Sequence, residues 1–158
     1  MAKQIEVTRI FNAPVEMVWK VWVEPELVKR WWGPKQFTSP VAKMDFREGG
    51  TSLVSMQAPK EMGGQVFYSV WFYVKIIPNK SIEFIQCLSD HQGNKVDPAT
   101  VGMPADFPKD IRTLVSFNEL SDNKTEMTVT EDAEFGTISN FAQIGLEQSM
   151  DKMLSIFK

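Results

Sequence analysis

From Phe37 to Glu131 the chain alternates apolar and polar side chains in short stretches, each closed by turn-favouring residues, before one long amphipathic segment. Alternation with a period of two places successive side chains on opposite faces of a strand, so the pattern restricts this stretch to consecutive antiparallel strands. Six are expected, at 38–46, 51–58, 65–77, 81–89, 111–120 and 124–131, parted by Gly49-Gly50, Gly63-Gly64, Pro78-Asn79 and Ser121-Asp122-Asn123. One connection is unlike the others. Residues 91–110 carry three prolines and two glycines, and a segment of that length inside a compact domain is usually functional or mobile.

The flanks are read in the same way. Residues 4–11 form a further strand, with Ile5 and Val7 on its apolar face, ended by Asn12-Ala13-Pro14. Pro14 suits a first helical position because its missing N–H would have had no partner there, and Glu16 complements the positive end of the helix dipole. Val15, Val18, Trp19 and Trp22 recur at helical spacing. Glu24-Pro25-Glu26 starts a second short helix with Leu27, Val28, Trp31 and Trp32 as its apolar side, stopped at Gly33-Pro34. The last element is a helix over 138–157, about 30 Å long at 1.5 Å per residue, with Thr137 as the expected N-cap. Gly145 inside it costs roughly 1 kcal/mol of helix propensity relative to Ala, which points to a packing or cavity reason for it.

The expected architecture is α+β. A curved seven-stranded antiparallel sheet wraps the C-terminal helix, and two short helices follow the first strand. At 158 residues the chain has the length of one domain, 1–158, and 43% hydrophobic with 23% charged residues is ordinary for a globular chain. A net charge of −3 without a basic cluster argues against nucleic acid as a partner. The most apolar stretch, residues 66–77, is broken by Ser69 and Lys75, so membrane insertion is not expected. A lone cysteine, Cys87, and the absence of an apolar leader in the first ten residues point to the cytoplasm.

The common chemical signatures are absent. One histidine, His91, and one cysteine give neither a zinc spacing nor a paired-histidine motif, and no phosphate-binding glycine loop or Gly-x-Ser-x-Gly elbow occurs. No metal, no cofactor and no catalytic constellation is expected. Asp45 and Arg47 read as an ion pair supporting the Gly49-Gly50 turn, His91 as a solvated loop residue, and Cys87 as a small buried hydrophobe.

Three segments carry a resemblance: 11–19 (FNAPVEMVW), 22–34 (WVEPELVKRWWGP) and 45–50 (DFREGG). Together they resemble the bacterial START-like proteins of the birch-pollen-allergen superfamily, in the branch related to the C-terminal domain of the activator of heat-shock-protein-90 ATPase. The resemblance covers nearly the whole chain. It implies the helix-grip fold and a small apolar or aromatic molecule held between sheet and helix. It leaves open two other functions. One is a chaperone-interacting module; the other is an enzyme that cyclises or dehydrates polyketide-like substrates, for which Tyr68, Gln86 and Arg112 are the polar candidates.

Polar markers assign the strand faces. Lys75 and Ser69 would turn Phe67, Trp71 and Tyr73 away from the helix and place Tyr68, Val70, Phe72 and Val74 toward it. Glu83 would place Phe84 and Gln86 inward, and Asp45 would place Met44 inward. The expected ligand-binding set then comprises Met44 and Met56, with Tyr68, Val70 and Phe72 beside them. Phe84, Gln86, Phe117 and Met127 would continue it, Leu146 and Met150 would face it from the helix, and Trp32, with Pro34 and Phe37, would form a lip or a partner-docking patch. A fully packed core is the competing outcome for the same residues, and Met-rich linings suit either one.

Overall fold

The computed structural model describes residues 3–157. Strand β1 (Lys3–Phe11) leads into helices α1 (Val15–Lys20) and α2 (Pro25–Trp31). Strands β2 (Ala42–Lys43), β3 (Thr51–Gln57), β4 (Val66–Ile77), β5 (Ser81–Ser89), β6 (Ile111–Ser121) and β7 (Lys124–Ala133) follow, and α3 (Ser139–Ser155) closes the described chain. The seven strands form one antiparallel sheet in the order β1-β7-β6-β5-β4-β3-β2. Helix α3 packs on β1 and α2. This is the helix-grip arrangement, α+β, with both short helices where they were expected.

Local chemistry explains the element ends. Pro14 is the N-cap of α1, one position before its expected place, and Pro25 is the first residue of α2. Helix α2 gives way at Trp32 to Gly33, whose φ of 104° suits glycine. A Cβ at Gly33 would lie 3.2 Å from Met56 Cβ and 3.3 Å from Phe37 Cβ, so the turn also needs the missing side chain for close approach. Helix α3 begins at Ser139 after a 3-10 turn over Gly136–Ile138, and its N-cap is Ile138, without a side-chain bond. The Thr137 side chain lies outside the described residues.

Two expectations need correction. The strand expected at 38–46 is only Ala42–Lys43, with an isolated bridge between Thr38 and Gln57. Pro40 has no N–H for a ladder, and serines replace the missing bonds: Ser39 Oγ donates to Ser55 O, and Ser55 Oγ accepts from Val41 N.

The second correction concerns β4. Trp71 and Tyr73 are buried, and Phe67 and Ser69 also face α3, whereas Phe72 and Val74 lie on the outer face, 46% and 42% exposed. The assigned faces were inverted because the β4–β5 register shifts between Tyr73 and Lys75. Val74 is the additional residue, and such a bulge reverses the side-chain alternation. Lys75 therefore marks the outer face after the bulge and says nothing about residues before it. Ser69 misled for another reason, since it is a small polar residue on the inner face.

The core is aromatic at one end of the concave face. Trp22 packs on Trp31 and Trp71 with ring centroids 4.6 and 6.0 Å away, and Trp71 stacks on Phe84 at 4.9 Å. The polar edges of two of these rings are satisfied: Trp31 Nε1 donates to Val21 O at 2.7 Å, and Trp22 Nε1 to Met127 Sδ at 3.2 Å. A smaller apolar cluster of Ile5, Ile111, Ala133 and Phe135 lies against Ile138, Ala142 and Leu146.

Candidate functional site

With Trp22, Trp31 and Trp71 filling one end of the concave face, the other end is not closed by that aromatic core. A cleft of about 420 Å³ remains there, within the range of roughly 300–1,000 Å³ usual for small-molecule sites. Its sheet side carries Met56, Phe67, Ser69, Gln86, Ile111 and Glu131. Helix α3 supplies Ala142, Gly145, Leu146 and Ser149, and the turn after α2 supplies Trp32, Pro34 and Phe37. The long β5–β6 connection reaches over with Met103, Phe107 and Pro108.

The turn holding Trp32 and Phe37 is fastened to α3 by side chains. Ser149 Oγ donates to Gly33 O at 2.8 Å, Lys152 Nζ to Phe37 O at 2.9 Å, and Gln148 Oε1 accepts from Lys35 N at 3.1 Å. The connection is tied at its base by the Lys95–Asp110 ion pair at 2.7 Å and by Gln65 Nε2 donating to Val101 O at 3.2 Å.

Glu131 is the one acidic or basic side chain among the described lining residues. It is 9% exposed, and Gln86 Nε2 donates to its Oε2 at 3.2 Å across the intervening strand β6. Burial pushes its carboxyl pKa up from 4.5 to about 7, and the Gln86 bond opposes that rise. No charged side chain contributes, so the carboxyl passes between neutral and ionised forms near neutral pH. Such a group can accept from a donor when ionised and donate to an acceptor when protonated.

Four of the expected ligand-binding residues, Trp32, Met56, Gln86 and Leu146, line this cleft. Phe84, Phe117, Met127 and Met150 are buried in the aromatic core, and Met44 packs on that core's edge. Tyr68, Val70 and Phe72 belong to the other side of β4. Tyr68 lies 6.4 Å from the His91 ring, Val70 is covered by Gly93, and Phe72 is exposed. Arg112 points away from the cleft and pairs with Glu83, so of the three polar candidates for turnover only Gln86 reaches it.

Glu131 was missed as a site residue, although its signal was present. Thr125, Met127 and Val129 alternate inward, and the same period puts a carboxyl at 131 on the buried face. Cys87 is half-buried with its thiol pKa raised by burial, which makes it a poor nucleophile at neutral pH. Among the described residues no group of three His, Cys, Asp or Glu is arranged to hold a metal, and no helix is long and apolar enough to cross a membrane.

The family model described as Activator of Hsp90 ATPase homolog 1-like protein matches residues 12–158. The chain belongs to that family. Solved structures with the same fold include a protein of Arthrobacter aurescens, 21% identical over 98% of this chain and 85% of that one, with a TM-score of 0.81. A Chromobacterium violaceum protein is 21% identical, covers 98% and 96%, and has a TM-score of 0.78. The AHSA1 protein of Silicibacter pomeroyi is 16% identical, covers 98% and 96%, and has a TM-score of 0.73. At these identities the likeness establishes the START-like fold. No curated protein matches this Hsp90-activator-like chain.

Proposed function

We propose that this START-like protein binds a small, mostly apolar molecule in the cleft between α3 and the sheet. The supporting observation is an apolar cleft of about 420 Å³ with a single carboxyl–amide pair, Glu131 and Gln86, on its floor. Apolar walls with a few convergent polar groups are the usual composition of small-molecule sites. A cytoplasmic setting, in which Cys87 stays reduced, belongs to the same reading.

The test is native mass spectrometry of the purified protein, followed by melting curves over a panel of lipids and aromatic compounds. A co-purifying small molecule, or a rise in Tm that is lost in Gly145→Phe, is the expected result. The glycine lines the cleft, and a phenyl group there would occupy it. No bound mass and no Tm shift across the panel would overturn the proposal.

A second reading, an enzyme that moves a proton on its bound guest, is favoured by Glu131. A carboxyl that titrates near neutrality inside an apolar site is suited to general acid–base work. The chaperone-interacting reading rests on the family description.

A further inference from the structure

The cleft has charge on one side of the ledger only. Among the described residues its single carboxyl has no cationic partner, and the side-chain hydrogen bond it receives comes from a neutral amide. Buried carboxylates are normally paired, because an uncompensated charge in apolar surroundings is costly. The elements packed around Glu131 offer no substitute. Its cross-strand partners are Ile5 on β1 and Thr113 on β6, and the α3 residues of the cleft are Phe141, Ala142, Gly145, Leu146 and Ser149. Lys152 on α3 is engaged with Phe37 O and does not line the cleft. The walls are rich in rings, with Trp32, Phe37, Phe67, Phe107, Phe135 and Phe141 all lining the space. Aromatic faces attract cations and do nothing comparable for anions.

We infer that Glu131 selects, among apolar guests, those that carry a protonatable amine. This rests on the cleft being a ligand site, as proposed above. The ammonium supplies the counter-charge that the protein withholds and donates to the carboxylate, while the hydrocarbon body fills the space between Phe67, Leu146 and the β5–β6 connection. A guest with a carboxylate would place a second negative charge beside Glu131, where the donors of the lining, among them the Gln86 amide and the unpartnered Trp32 Nε1, are neutral and supply no positive charge. Fatty acids and other anionic amphiphiles are thereby disfavoured, although their hydrocarbon parts would suit the walls.

The test compares four guests with one aromatic body: 1-naphthylmethylamine, 1-naphthylmethanol, 1-naphthoic acid and 1-methylnaphthalene. Binding is measured by calorimetry at about pH 8, where the Glu131 carboxyl is ionised. The amine should bind roughly tenfold tighter than the alcohol, as one charge-assisted hydrogen bond allows, and the acid should be weakest. In Glu131→Gln, which keeps the shape and removes the charge, the amine should lose that advantage while the alcohol and hydrocarbon change less than about twofold. At about pH 7 amine binding should also expel a proton from wild-type protein, and not from the variant, seen as a dependence of the measured heat on buffer ionisation enthalpy. Equal binding of amine, alcohol and acid by the wild type would overturn the amine preference and leave the cleft as an apolar site. Binding of none of the four, the hydrocarbon included, would overturn both. The wild-type comparison decides the matter even if the variant folds poorly.

Discussion

Gln86 Nε2 lies 3.2 Å from Glu131 Oε2 and donates to it across the whole width of β6, joining two strands that do not pair with each other. The bond links the floor of the cleft to protonation. Glu131 has its pKa raised in the fold, from 4.5 to about 7, so its contribution to stability is fully present below the unfolded value and is lost as pH rises through about 7. Each tenfold change in proton affinity is worth 1.36 kcal/mol, which sets the loss at about 3 kcal/mol at most. Denaturant unfolding should show stability falling between about pH 5 and pH 8, and Glu131→Gln should flatten that fall. A fall of the same size in the variant would assign it to other groups.

Ser149→Ala should release the turn after α2. It removes the donor to Gly33 O and leaves that carbonyl without its partner, a cost of about 1–2 kcal/mol. Ser155→Ala, which removes a bond on an exposed stretch of the same helix, should cost less than about 0.5 kcal/mol. Urea midpoints for the pair give the comparison, and equal losses would mean that the buried bond does not hold the turn.

Two glycines near the cleft should respond in opposite directions to alanine. At Gly145 a Cβ would sit 3.8 Å from Pro34 Cγ, an ordinary contact, so Gly145→Ala should gain up to about 1 kcal/mol of helix propensity. At Gly136, φ is 58° and a Cβ would collide with the Asp106 carboxylate, so Gly136→Ala should lose about 1–2 kcal/mol. Thermal unfolding of both variants is the check.

Trp31→Phe keeps a ring in the core and deletes the donor to Val21 O. The variant should be about 1–3 kcal/mol less stable in denaturant titration. Guest binding should persist, because Trp31 does not line the cleft and Trp32 does.

The element order was legible because its signals are local: turn residues between alternating stretches, and prolines at the two short helix starts. Non-local choices were less visible. Alternation shows which residues share a face, and the assignment of that face to the core depended on polar markers. In β4 the marker Lys75 stood beyond the bulge at Val74, and the whole strand was inverted with it. The edge strand was overestimated because serine hydroxyls stood in for ladder bonds around Pro40. The cleft was half legible. Leu146 and Gln86 followed from the correct faces of α3 and β5, whereas Phe84 and Met150 on those faces, with Phe117 and Met127 on the inner faces of β6 and β7, lie in the core. What separates the two groups is position along the strands relative to Trp22 and Trp31, and that is decided by tertiary packing.

The walls and floor of the cleft come from different kinds of structure. Gln86 and Glu131 are built into the sheet, while Met103, Phe107 and Pro108 belong to a connection tied at its base by Lys95 and Asp110. For the guest proposed above, affinity and residence time are then separable, and chemistry at the floor would set how tightly it is held. Cutting the tie at the base of the connection would speed entry and exit together, and so alter how long each guest stays far more than how much is bound at equilibrium.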